Sequence, residues 1–310
     1  MNIGYPCSNL TLGISASRTF RLASFSIERL TETVTANLNA LRRILEWNDA
    51  HDIRFFRLSS ATIPFASHPV MTFDWQTEFA STLAGIGDYI RARDMRINVH
   101  PGQYVILNSP REEVVHRSIA ELQYHAELMD LLGIDASNKI QIHTGGVYGN
   151  KRSAIGDFIR TYVGLPETIR RRLAIENDER QFSLADNLRI HEATGVPLIF
   201  DTFHHELFNN GESLTQALNA VVPTWRGHGP AMIDYSSQNP AKQAGAHTLS
   251  IDLDAFQPVL NELNGRRVDL MLEIKDKERS VLKVMELIAR RRPDQESEVA
   301  ASGTSASVRE

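Results

Sequence analysis

Leu198-Ile-Phe-Asp-Thr-Phe-His-His205 decides how this chain is read. An apolar run goes straight into Asp201, and His204 follows three positions later. A short apolar run that ends in an acid and an imidazole describes a buried parallel strand delivering polar side chains at its carboxyl end. The same grammar recurs in Arg96-Ile-Asn-Val-His100, Lys139-Ile-Gln-Ile-His143, Leu173-Ala-Ile-Glu176, Met232-Ile-Asp234 and Leu270-Met-Leu-Glu273.

Working outward, strand-like runs stand near 2–5, 53–58, 96–100, 139–143, 173–176, 197–201, 231–235 and 268–274. Between them Thr31–Trp47 and Val114–Leu132 carry apolar residues at helical spacing. Ser183 before Leu184, and Ser109-Pro110 ahead of Glu112 and Glu113, read as helix openings. Gly133 and Gly195 stand where C-caps fall. Eight strands alternating with helices predict one closed (β/α)8 barrel over residues 1–292. No Gly-x-Gly-x-x-Gly or P-loop opens a helix after a strand, which disfavours a doubly wound nucleotide-binding sheet. After Arg292 the apolar periodicity is lost, so residues 293–310 are expected to form a disordered tail.

A 310-residue chain that is 42% hydrophobic can bury a core of that size. The first residues read as a strand rather than a leader, and no run reaches the roughly 18 apolar residues of a membrane helix. A soluble, cytoplasmic protein with no membrane partner is expected. Cys7 is the single cysteine, which rules out an internal disulfide and a thiolate zinc cluster. The net charge of -5 leaves the partner open, because bound divalent cations would offset it and Arg54, Arg57, Lys151, Arg152 and Arg170–Arg172 are locally concentrated.

In a barrel all strand carboxyl ends meet at one face. That gathers His100, His143, Glu176, Asp201, His204, Asp234, His247 and Glu273 into one candidate cluster. Imidazoles mixed with carboxylates, without thiolates, suit Mn²⁺, Zn²⁺ or Fe²⁺ better than Ca²⁺ or Mg²⁺. Eight donors exceed what one ion needs, which points to two or three ions and to phosphoryl chemistry. His51, His116, His125, His191 and His228 read as packing or surface residues, and His204 is favoured over His205 as a ligand.

These residues sit in motifs that resemble the UV damage endonucleases. The motifs are Gly4-Tyr-Pro-Cys-Ser-Asn-Leu-Thr-Leu12, Arg57-Leu-Ser-Ser60 with His68-Pro69, Asn98-Val-His-Pro-Gly-Gln-Tyr104 and Ile142-His-Thr-Gly-Gly146. Glu176-Asn-Asp178, Phe200–His205, Asp234-Tyr-Ser-Ser-Gln238 and Leu272-Glu-Ile-Lys-Asp-Lys277 complete the order. The resemblance implies a TIM barrel whose metal cluster lies at the carboxyl face, with a groove there for damaged duplex DNA. It implies up to three divalent ions, usually Mn²⁺, and a cut on the 5′ side of UV photoproducts that leaves a 3′-hydroxyl and a 5′-phosphate. Carried over by position, the ligands would be His68, His100, His143, Glu176, Asp201, His204, His247 and Glu273. Gln103 and Tyr104 match a pair that wedges into the duplex, and Tyr5 and Asn9 match residues lining the lesion pocket.

One departure stands out. Many relatives carry Lys-x-His where this chain has Met232-Ile-Asp234, so the lysine modification of the family is not expected, while Asp234 is expected to keep ligating. Glu176, His143, His204 and Glu273 are the expected catalytic residues, with Lys275 holding phosphate because a side chain two positions on from Glu273 shares its face. A monomer is expected, since one face must accept a long duplex. The competing readings are an apurinic-site endonuclease, a sugar isomerase on the same barrel, and a damage-binding protein without chemistry.

Overall fold

The computed structural model describes residues 1–303, with side chains described through Arg291. Eight parallel strands close into a barrel: β1 (Ile3–Pro6), β2 (Phe55–Leu58), β3 (Arg96–Val99), β4 (Lys139–His143), β5 (Leu173–Glu176), β6 (Leu198–Asp201), β7 (Ala231–Tyr235) and β8 (Val268–Leu272). Each strand pairs with the next in sequence, and β1 closes the ring against β8 through Ile3 beside Leu270. The (β/α)8 barrel read from the sequence is therefore the fold, with strand limits shifted by a residue or two. Around it pack α1 (Ile27–Ala50), α2 (Trp75–Ala92), α3 (Glu112–Leu131), α4 (Lys151–Val163), α5 (Leu184–Thr194), α6 (Leu214–Val221), α7 (Leu253–Leu263) and α8 (Glu278–Gly303). The expected tail over 293–310 has no described side chains and, from residue 304, lies outside the described residues.

Local chemistry sets the helix limits. Ser183 and Asp186 form a reciprocal capping box that opens α5, and Gly195 closes it in the left-handed region at φ 75°. The α3 opening differs from the expectation: Arg111 is its N-cap, and Ser109 Oγ instead accepts from the Arg111 amide at 3.2 Å. Strand alternation sorts side chains into two layers. Phe56, Leu58, Leu198 and Phe200 are buried, and by their alternation they face the surrounding helices. On the inward face the barrel is polar instead of filled by branched aliphatics: Arg57, Gln141, Glu176 and Asp234 are all at most 3% exposed. Gly4 in β1 lies so close to β2 that an added Cβ would meet the Phe55 carbonyl carbon at 2.7 Å, which explains the glycine of the opening motif. Among the described residues no helix is long and apolar enough to cross a membrane.

Candidate metal centre and its surroundings

Strand register brings the site together. His143 on β4 lies beside Glu176 on β5, and Asp201 on β6 beside Asp234 on β7. Glu176 is the hub: its Oε2 lies 3.2 Å from His100 Nε2 and 3.6 Å from His143 Nε2, while its Oε1 lies 3.3 Å from His204 Nδ1. His204 Nδ1 is also 3.6 Å from Asp201 Oδ2. The donors thus fall into two groups, His100–His143–Glu176 and Glu176–Asp201–His204, that share one carboxylate.

Short contacts fix these side chains. Asp201 Oδ1 accepts from the His204 amide at 2.8 Å, capping the short helix Thr202–Leu207 and setting His204 over the barrel mouth. Asn177 Oδ1 accepts from the Asp201 amide at 3.0 Å, and its own carbonyl lies 3.0 Å from His204 Nδ1. Gln141 Nε2 donates to Glu176 Oε2 at 2.7 Å from below. His205 turns away, as expected, its Nε2 lying 3.1 Å from the Glu212 carbonyl.

The electrostatics fit a cation. Burial works against the charge on Glu176, yet His143, His100 and His204 hold it well below the usual carboxylate range. Burial pushes Asp201 well above that range, and Glu176, Glu273 and Asp234 add to the push against the pull of His204. Burial also opposes the charge on His204, but Asp201 and Glu176 raise it to about 11. Asp201 Oδ2, His143 Nδ1 and His100 Nδ1 are buried without a hydrogen-bond partner. A buried acid with an unpartnered oxygen beside clustered imidazoles is what a divalent ion between them would satisfy.

Other expected residues are placed differently. Asp234 does not join either donor group; its Oδ2 accepts from Arg57 Nη2 at 2.8 Å and from Gln141 Nε2 at 2.7 Å. Arg57 also pairs with Glu273, so one guanidinium fills the barrel interior between two of the expected ligands. Burial raises Asp234 above the ordinary carboxylate range, with Arg57 pulling the other way. His247 and Glu273 form a pair of their own, Nδ1 to Oε2 3.7 Å, on the rim of a cleft of about 450 Å³ that also takes in His100, His143, Lys275 and Lys277. His68 is exposed and sits apart, in a cleft of about 580 Å³ with Phe65, Tyr104, Arg111 and Arg117. It is not among the gathered donors, because the loop after β2 carries it outward.

Gln103 and Tyr104 form the exposed corner of a tight turn after β3, closed by Val105 N–H to the Gly102 carbonyl at 3.0 Å. Tyr104 is 62% exposed, and its hydroxyl donates to Glu121 Oε1 at 3.2 Å. Tyr5 and Asn9, expected to line a lesion pocket, are both fully buried. Tyr5 alternates outward from β1, where its hydroxyl donates to Asn48 Oδ1 at 2.6 Å and accepts from Asn9 Nδ2 at 2.8 Å. Their placement anchors the hairpin of Ser8–Asn9 with Ile14–Ser15 to α1 and offers no surface to a ligand.

Arg57, Gln141 and Asn177 are the site residues that pattern reading passed over. Arg57 counts in the sequence only as one of several locally concentrated cations, yet its place two residues after Phe55, on the face opposite Phe56, signals an inward cation.

The comparisons with known proteins agree with this geometry. The model of the UV-endonuclease UvdE family matches residues 1–300. A UV DNA damage endonuclease of Clostridium perfringens is 38% identical over 286 residues, covering 91% of this chain and 69% of that protein. The crystal structure of SacUVDE superposes with a TM-score of 0.91 at 46% identity, covering 94% of this chain and 99% of that one. A structure of L-ribulose 3-epimerase, at 18% identity and a TM-score of 0.53 over 76% of each chain, shares the fold alone. With the family model spanning the whole barrel and the donors meeting at its carboxyl face, the chain belongs to the UV-endonuclease UvdE family.

Proposed function

We propose that this protein is a DNA-repair endonuclease that nicks duplex DNA immediately 5′ of UV photoproducts, leaving a 3′-hydroxyl and a 5′-phosphate. The observation that carries the reading is the pair of donor groups sharing Glu176, whose members His100 and His143 line an open cleft together with Gln103 of the exposed Gln103–Tyr104 turn. The Clostridium perfringens relative, named a UV DNA damage endonuclease, supports the substrate class.

Two divalent ions, Mn²⁺ in this reading, would be held by His100, His143 and Glu176 and by Glu176, Asp201 and His204; when bound they supply the Lewis acidity that phosphodiester hydrolysis needs. The remaining steps belong to the chain. Lys275 and Lys277 line the mouth of the cleft and offer cations to the phosphate backbone. His247 and Glu273 face the same mouth, where they orient the reacting linkage. Arg57 supplies a permanent positive charge beneath them that pairs with both Asp234 and Glu273 and offsets one of their two negative charges. Gln103 and Tyr104 present an amide and a flat ring to unstacked bases. A photoproduct is already poorly stacked and paired, so extruding it costs less than extruding an intact base, and that difference selects the lesion. Incision of a dimer-containing duplex in Mn²⁺, and its loss in EDTA, is the test.

A further inference from the structure

We propose that Tyr148 is a second stacking platform for an unstacked DNA base, standing beside Tyr104 on neighbouring loops whose glycines line one cleft; this rests on the endonuclease reading and adds a specificity-determining residue to it.

The two loops share one design. Tyr104 follows His100 by four positions and Tyr148 follows His143 by five, on neighbouring strand ends. Tyr148 occupies the corner of a tight turn, closed by Asn150 N–H to the Val147 carbonyl at 3.0 Å, as Tyr104 does in its own loop. Each ring lies against the glycine two residues before it. A Cβ built on Gly146 would come within 2.8 Å of Tyr148 Cζ, and one on Gly102 within 2.8 Å of Tyr104 Cδ1. Both glycines line one cleft of about 310 Å³, together with His100, His143, Gln103 and Arg180. That volume lies in the range of small-ligand sites, and His100 and His143 make it continuous with the candidate metal centre.

Tyr148 is also held in place at a cost. It is 52% exposed, and its backbone sits at φ 48°, a conformation that residues with a side chain seldom adopt. The loop around it is pinned from both sides. Asn108 donates to the Gly146 carbonyl at 2.9 Å and accepts from the Gly146 amide at 3.2 Å, while Gln181 Oε1 accepts from the Val147 amide at 3.1 Å. An exposed aromatic ring fixed against a glycine loses little entropy when a base stacks on its free face, which is what a sequence-tolerant DNA contact requires. The glycine that its ring lies against shares a cleft lining with His100 and His143, which makes the occupant a base of the bound DNA rather than an unrelated partner.

The test compares wild type, Tyr148→Asn and Tyr148→Phe. Asparagine tolerates the left-handed backbone, so it removes the ring without adding strain. Metal-loaded full-length protein is titrated with a labelled duplex carrying one cyclobutane dimer, its 5′ linkage blocked as a methylphosphonate, and with the matching undamaged duplex. Tyr148→Asn is expected to weaken binding of the dimer duplex about tenfold and of the undamaged duplex less than about twofold, with Tyr148→Phe near wild type. Wild-type affinity in Tyr148→Asn, equal losses on both duplexes, or a Tyr148→Phe as weak as Tyr148→Asn would each overturn the platform. Nicking of the unblocked dimer duplex by wild type is scored separately: its absence defeats the endonuclease reading, whereas nicking combined with any of those three results defeats the platform alone.

Discussion

Arg57 on β2 and Asp234 on β7 meet inside the barrel, Nη2 to Oδ2 2.8 Å, both almost fully shielded from water. A buried pair is costly to break from one side because the survivor stays buried with its charge less balanced. Arg57 keeps Glu273, which softens the loss. Asp234→Ala is therefore predicted to lower unfolding free energy by about 3 kcal/mol in urea titrations. Because Asp234 lies outside both donor groups, metal content is predicted to stay at the wild-type level. Loss of bound metal with unchanged stability would make Asp234 a ligand after all.

Glu176 belongs to both donor groups, so its loss reaches both ions. Glu176→Gln is predicted to reduce bound Mn²⁺ to below one equivalent per chain by elemental analysis. Nicking is predicted to fall by at least about a hundredfold, the scale of the charge stabilisation that metals supply. Two equivalents retained in the variant would remove the shared carboxylate from the account.

Gly102 makes room for the Tyr104 ring, since an added Cβ would stand 2.8 Å from Tyr104 Cδ1. Gly102→Ala displaces that ring from its seat. Like Tyr104→Ala, it is predicted to weaken binding of a dimer duplex by about tenfold while leaving thermal stability close to wild type. Wild-type affinity in both variants would show that no base rests on this turn.

Lys139 is buried near the opposite end of the barrel, where its ammonium donates to the Arg171 carbonyl at 2.8 Å and lies 3.1 Å from His228 Nδ1. Burial first, then Arg96 and Arg172, lower its pKa from 10.5 to about 7. The unfolded chain thus binds the extra proton more readily between those values, so this group makes stability rise with pH from about 7 to 10.5. Below about 7 the lysine is charged in both states and the full penalty applies. Lys139→Met is predicted to stabilise the protein by about 2 kcal/mol at pH 7, with the gap closing as pH approaches 10. A gap that widens with pH would reverse the sign and refute the burial argument.

The barrel was legible because six strands end in acids or imidazoles and because helical spacing fills the intervals between them. The donors His100, His143, Glu176, Asp201 and His204 were legible for the same reason: each closes a strand or follows one within a turn. His68 was not, since a loop residue takes its position from packing that no local pattern encodes. Tyr5 and Asn9 were misplaced because motif matching ignores the alternation that sends Tyr5 outward to Asn48. Asp234 is expected as a metal ligand and Arg57 is counted among locally concentrated cations; that the two pair is a contact across 177 residues, set by barrel closure alone.

The most direct test of the central claim is a nicking assay on end-labelled duplexes carrying one cyclobutane dimer, one abasic site or no damage, each with Mn²⁺ and with EDTA. The account predicts a single Mn²⁺-dependent cut immediately 5′ of the dimer, leaving a 3′-hydroxyl and a 5′-phosphate, and no cut in the undamaged duplex. Metal-loaded protein that leaves the dimer duplex intact, or cuts only at the abasic site, would contradict it.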